Sequence, residues 1–117
     1  TNYEANLTSC ISIIKEKNPN AKIIIQTLYN PAEKQGYKVS VINVGKLANR
    51  YIDKLNESIL TVCANKTNVY VFDVSTEMNK DAANFYNLQT NFDIHPTVQG
   101  HQTLAKIYTD DFNALTQ

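Results

Sequence analysis

The 117 residues predict an α/β domain built on parallel strands, and two apolar runs carry that prediction. Ile23-Ile24-Ile25, inside residues 21–28, and Val69-Tyr70-Val71-Phe72-Asp73-Val74 are short, β-branched and continuously apolar. That is the pattern of strands buried on both faces. Between them lies a long stretch whose apolar residues recur at helical spacing. Strand, helix, strand in that order makes a parallel βαβ unit with a right-handed crossover.

The other elements follow in chain order. Tyr3, Leu7, Cys10, Ile11 and Ile14 recur at helical spacing. Asn18-Pro19-Asn20 ends that helix, because the residue before a proline avoids the helical region. Tyr29-Asn30-Pro31 breaks the first strand, and residues 31–39, polar and containing Gly36, read as a loop. Ser40 is placed to cap the long helix, whose apolar stripe is Val44, Leu47, Ala48, Tyr51, Leu55, Ile59 and Val62. Residues 65–68 are turn-like and residues 78–87 helical. A last helix follows, its predicted inner face being Val98, His101, Ala105, Tyr108, Phe112 and Leu115.

Only two strands emerge from this reading. A two-stranded parallel sheet of apolar strands leaves a hydrophobic edge open to pairing. Strands are therefore expected from elsewhere, supplied by another polypeptide or by a second copy of this chain. A well-behaved lone monomer is not expected.

Composition narrows the function classes. One small domain is the default at this length. Acidic and basic residues balance at 11 each, so no nucleic-acid footprint and no anionic-membrane patch shows in the overall charge. No apolar run approaches the about 20 residues of a transmembrane segment. No signal peptide is visible, and because the sequence begins at Thr1 rather than Met, a longer parent chain is expected. Cys10 and Cys63 lie on apolar helical stripes and read as buried free thiols. Neither has the CxxC spacing of a redox or zinc site. With three glycines in all and no Gly-rich loop after either strand, phosphate binding is a poor fit.

The densest chemical signal is Asp93-Ile94-His95-Pro96-Thr97-Val98-Gln99-Gly100-His101. A histidine on a loop just before a helix is placed to act above the carboxyl ends of the strands, where ligands of open α/β sheets bind. Pro96 fixes φ and lacks an N–H. Thr97 can cap the helix that follows, and Gly100 permits close approach of its first turn. Together these hold one imidazole in place, as a general base requires. Asp93, two residues earlier, shares a face with His95 if the backbone there is extended. It could then fix the ring's tautomer. His101 falls on the apolar helix face and reads as a packed structural histidine. His95 and His101 are six apart, not the i, i+4 of a helical zinc site, so no metal is expected.

This string resembles the C-terminal signature block of the SGNH (GDSL) hydrolases, which supply acid and base from one short D-x-x-H-P-like segment. Asn18-Pro19-Asn20-Ala21-Lys22 leading into the first strand and Tyr29-Asn30-Pro31 resembles the same family's penultimate helix-strand passage. The resemblance implies a flavodoxin-like three-layer α/β/α sandwich of which residues 1–117 form the C-terminal half. It implies a cofactor-free Ser-His-Asp mechanism acting on a small acyl ester, with His95 as base and Asp93 as its partner. The family is often exported, which leaves an extracellular or envelope location open; no residue here specifies one.

The chain departs from the family pattern twice. Many members place the acid three residues before the histidine; here that position is Phe92 and the nearest acid is Asp93, so a backbone carbonyl is the alternative orienting group. The family's G-D-S nucleophile block, and the glycine and asparagine blocks of its oxyanion hole, do not occur in these residues. They are expected upstream of Thr1, in an N-terminal half of the same hydrolase. Ser9, Ser12, Ser40 and Ser58 read as helix or cap residues. Ser75, near the sheet mouth, lacks the glycines of a nucleophile elbow. Asp73 reads as a ligand of loop backbone. Tyr29 and Asn30 either line a cleft or form a turn. The competing reading is a non-catalytic flavodoxin-like binding or assembly module, which would tolerate loss of His95.

Overall fold

The computed structural model describes residues 2–33 and 36–117, apart from the side chains of residues 89 and 90. Helix α1 (Asn2–Lys17) leads into strand β1 (Ile23–Gln26). A short antiparallel hairpin, β2 (Lys38–Val39) and β3 (Ile42–Asn43), precedes the long helix α2 (Val44–Cys63). Strand β4 (Val69–Phe72) follows, then three short helices, α3 (Val74–Lys80), α4 (Ala82–Phe85) and α5 (Leu88–Asn91). Helix α6 (Val98–Thr116) completes the order. Among the described residues no helix is long and apolar enough to cross a membrane.

The parallel sheet forms as the sequence predicts. β1 and β4 pair in register from Ile23 opposite Val69 to Gln26 opposite Phe72, with α2 as the crossover. Their side chains alternate between two faces. Ile23 and Val69 turn to one face and join Ile11, Ile59, Val62 and Cys63 of α1 and α2 in a core cluster. On the other face Tyr108 of α6 meets Phe72 edge-on, with ring centroids 5.2 Å apart, and donates a hydrogen bond to Gln26. A second cluster, Val74, Met78, Ala82, Phe85 and Tyr86, is closed by Leu104 and Ile107 of α6.

The free edge of β1 has a defined length. Ile23 and Thr27 donate to the carbonyls of Asn68 and Phe72, so odd-numbered residues turn their backbone to β4. Ile24, Gln26 and Leu28 turn theirs the other way. Leu28 is already satisfied there: its N–H donates to Asn56 Oδ1 at 2.7 Å, and Asn56 Nδ2 donates to its carbonyl at 2.9 Å. One carboxamide thus substitutes for a neighbouring strand, and the open stretch is Ile24 and Gln26. Among the described residues, β4 is the only strand β1 pairs with.

Several expectations need correction. Residues 38–43, read as the end of a loop and the start of a helix, form the hairpin, and Ser40 sits in its turn with φ 56°. The cap of α2 is Asn43, whose side chain accepts from Lys46 N–H. The helical stretch at 78–87 is broken into short pieces. Cys10 is exposed, whereas Cys63 is buried as expected. The predicted inner face of α6 is also rotated: Val98 is 76% exposed, Phe112 52%, and His101 is exposed rather than packed. Gly100, Leu104 and Ile107 face inward instead. The cause lies at the start of the helix, where Gly100 is pressed against Phe85 and fixes the rotation of every turn that follows.

Candidate functional site

The segment carrying His95 is anchored to α4 at several points. Thr97 N–H donates to Phe85 O at 2.7 Å, and Thr97 Oγ1 donates to Asn84 O at 2.9 Å. Pro96 forms a bridge with Tyr86. Thr97 caps α6 as predicted, accepting from Gly100 N–H at 3.1 Å. A Cβ on Gly100 would lie 2.8 Å from Phe85 O and 3.0 Å from Pro96 Cβ, so only glycine lets the first turn of α6 sit this close. The clamp had no signal in the sequence beyond Thr97 and Gly100; the anchors Asn84 and Phe85 sit on a four-residue helix with no periodicity to reveal it.

Asp93 and His95 are brought together, though not through an extended segment. Asp93 Oδ1 accepts from the backbone N–H of His95 at 2.9 Å, closing an Asx turn, and also lies 2.7 Å from His95 Nδ1. Those two hydrogen bonds, backbone first and ring second, hold the Asp93 carboxyl below the usual carboxylate range. An ionised carboxylate only accepts, so Nδ1 carries a proton, and in the neutral ring Nε2 is the nitrogen that holds the lone pair. The imidazole side chain is 84% exposed, which leaves Nε2 open to a reacting group.

Beside it runs a cleft of about 370 Å3 lined by Gln26, Leu28, Tyr29, Pro31, Ile94, His95 and Pro96. Tyr29 therefore lines a cleft, as one of its two readings had it. Its ring stacks on buried Tyr86 with centroids 5.4 Å apart, and burial raises its phenol pKa. Asn30 does the opposite job. It is 1% exposed, donates to Gly45 O at 2.9 Å and Asn49 Oδ1 at 2.7 Å, and accepts from Ala32 N–H at 3.0 Å. It holds the turn that presents Tyr29 and Pro31. A larger cavity, about 660 Å3, lies along β4 between α2 and α6, but neither histidine reaches it.

The remaining candidates take structural positions. Asp73 caps α3 by accepting from Thr76 N–H, and its carboxylate also accepts from the hydroxyls of Thr27, Ser75 and Thr76. Burial works against its charge, but the hydrogen bonds from Thr76, Ser75 and Thr27 outweigh it and lower its pKa. Ser75 donates its hydroxyl to Asp73 at 2.8 Å. Among the described residues no group of three or more His, Cys, Asp or Glu gathers to hold a metal.

Comparison with known proteins agrees with this geometry at the level of family. No match was found among curated proteins or among solved structures. A family model does match, over residues 1–103, and it spans β1, the parallel sheet and the whole His95 segment. This chain belongs to the GDSL-like Lipase/Acylhydrolase family, and its kind of chemistry is that of a hydrolase.

Proposed function

We propose that these residues supply the base half of a serine acylhydrolase site, in the C-terminal half of a flavodoxin-like three-layer α/β/α sandwich. The observation that carries the reading is the ionised Asp93 on His95 Nδ1, which leaves Nε2 exposed beside an open cleft. In that arrangement Nε2 takes the proton from a serine hydroxyl as the oxygen attacks the ester carbonyl. It then returns the proton to the departing alcohol, while Asp93 stabilises the imidazolium between the two steps. The reaction needs no cofactor, and the substrate is a small acyl ester.

The serine comes from outside these residues. No nucleophile elbow occurs in the sequence, and Ser75, the one serine near the sheet mouth, is engaged with Asp73. The open backbone of Ile24 and Gln26 is where a further parallel strand would join, on the side of β1 that leads to the His95 cleft. An N-terminal half of the same hydrolase is the proposed source; a second copy of this chain would cover the edge without bringing a nucleophile block.

Hydrolysis of p-nitrophenyl acetate tests the reading. The isolated 117-residue chain is expected to match its own His95→Ala variant. Combined with a polypeptide carrying a G-D-S block, it should gain activity that His95→Ala lowers by several orders of magnitude. His95-dependent hydrolysis by the verified lone chain would place the nucleophile within these residues and overturn the division. An unaffected His95→Ala complex would leave a binding module.

A further inference from the structure

Apolar side chains exposed on the β2–β3 hairpin continue to the edge of the His95 loop. Val39 and Ile42 are paired across the hairpin and so share one face, with 58% and 53% of their surface exposed. Val41, at the tip, is 92% exposed. Tyr37, two residues before Val39, meets the ring of Phe92 edge-on at 6.0 Å. Phe92 is 73% exposed and Ile94, on the cleft beside His95, 58%. The Tyr37–Phe92 ring contact therefore joins the apolar groups of the hairpin to those of the loop that carries the candidate base, with Lys38 and Asp93 set among them.

Backbone strain at both ends presents these residues outward. Ser40 has φ 56°, the positive value used at the first position of a type II′ hairpin turn, and it lifts Val41 to the tip. Phe92 is left-handed, φ 53° and ψ 29°, where glycine or asparagine is the ordinary occupant. A phenylalanine held there in solvent is costly for the fold unless its ring has another use.

Charge selects the occupant. In a chain with equal acids and bases, residues 34–52 carry Lys34, Lys38, Lys46 and Arg50 and no Asp or Glu. Lys38, Lys46 and Arg50 are exposed around the hairpin. The acids that flank this stretch in sequence are Glu33, whose carboxylate takes the Asn49 side-chain N–H, and exposed Asp53; Asp93, beside Phe92, is held by His95. Exposed aliphatic and aromatic groups flanked by Lys38, Lys46 and Arg50, which make no ion pair among the described residues, fit an anionic lipid surface better than they fit a neutral protein face.

We infer that the hairpin tip and the Phe92–Ile94 segment dock this chain on an anionic lipid surface, with Val41, Ile42 and Phe92 inserted and Lys38 and Lys46 at the headgroups. The docking is independent of the chemistry at His95. That it delivers lipid-phase esters to the cleft rests on the acylhydrolase reading.

Co-sedimentation with vesicles of two parts phosphatidylcholine to one part phosphatidylglycerol tests this, using the 117-residue chain. The chain should sediment with these vesicles, and added salt should release it, since screening removes the cationic contribution. Val41→Asp should lower the partition coefficient by roughly tenfold or more. Phe92→Gly relieves the left-handed strain, so it stays folded by circular dichroism and should also bind less. Failure to sediment, or equal binding by wild type and both variants, would overturn the proposal. So would the absence of vesicle binding with a size-exclusion mass that drops in Val41→Asp, which would make the strip a protein interface. None of these outcomes touches the ester-hydrolysis test.

Discussion

Replacing Gly100 with alanine tests the clamp that positions His95, because the expected sign is opposite to that of an ordinary helix. At an exposed helical position Gly→Ala stabilises by about 1 kcal/mol. Here the new Cβ would meet Phe85 O at 2.8 Å and Pro96 Cβ at 3.0 Å, both below normal contact distance. Neither neighbour is the end of a flexible side chain: one is a backbone carbonyl and the other a proline ring. Overpacking of this kind costs about 1–3 kcal/mol. The carbonyl that must yield is the one accepting from Thr97 N–H at 2.7 Å, and weakening that bond adds about 0.5–1.5 kcal/mol. The gain in helix propensity offsets about 1 kcal/mol of this, leaving Gly100→Ala destabilised by about 0.5–3.5 kcal/mol. Urea unfolding followed by far-ultraviolet circular dichroism would read it as a lower midpoint with unchanged slope. A midpoint equal to or above wild type would mean that α6 approaches α4 less closely than described, and the account of how His95 is held would fail.

Two further predictions concern groups away from the base. Asp73→Ala removes the cap of α3 together with the ties to Thr27 and Ser75, and should cost about 2 kcal/mol in the same unfolding assay. Because the Asp73 pKa is lower in the folded state, its contribution is complete above the unfolded carboxylate value of about 3.9. It is lost as pH falls through the folded value, so the deficit of Asp73→Ala relative to wild type should shrink at acidic pH. The two thiols should separate by alkylation: Cys10 is exposed and should react with iodoacetamide in the native state, whereas Cys63 is buried, with its thiol pKa raised by desolvation despite Lys66, and should react only on unfolding. Equal rates would contradict the packing of α1 and α2.

The sheet and its crossover were legible because β1 and β4 lie in short, β-branched, continuously apolar runs, which leaves little else for such runs to be. The hairpin was not. Its strands are two residues long, its turn has a serine where glycine is usual, and Val39, Val41 and Ile42 looked like ordinary spacing between a loop and a helix. The inner stripe of α6 failed for a different reason. Of the expected stripe, Val98 and Phe112 stay exposed while Tyr108 packs on Phe72; tertiary contact at Gly100 turned the helix so that Leu104 and Ile107 went inward. Leu47 and Tyr51, part of the apolar stripe read along α2, are 44% and 66% exposed. Val98, Phe112, Leu47 and Tyr51 are therefore apolar groups this fold leaves open.

The pairing of Asp93 with His95 was legible in the sequence, and the geometry shows how the shorter spacing still brings the two side chains together. With the acid three residues before the histidine, a turn is needed to bring the side chains together. With Asp93 only two before, an extended backbone would put the two side chains on one face. The structure uses a turn closed by the Asp93 side chain itself. The carboxylate folds forward onto the N–H of His95, and that Asx turn carries the same oxygen to Nδ1. One oxygen thereby sets the loop and the tautomer at once, so Asp93→Asn and Asp93→Ala should differ in kind. The amide keeps the Asx turn, since its Oδ1 can still accept from the backbone, but it no longer stabilises an imidazolium. Alanine loses both. In the completed enzyme the asparagine variant should therefore fail in kcat with little change in KM, while the alanine variant should fail in both as the loop loses its anchor. Identical kinetics for the two would mean that the backbone hydrogen bond contributes nothing to holding the base.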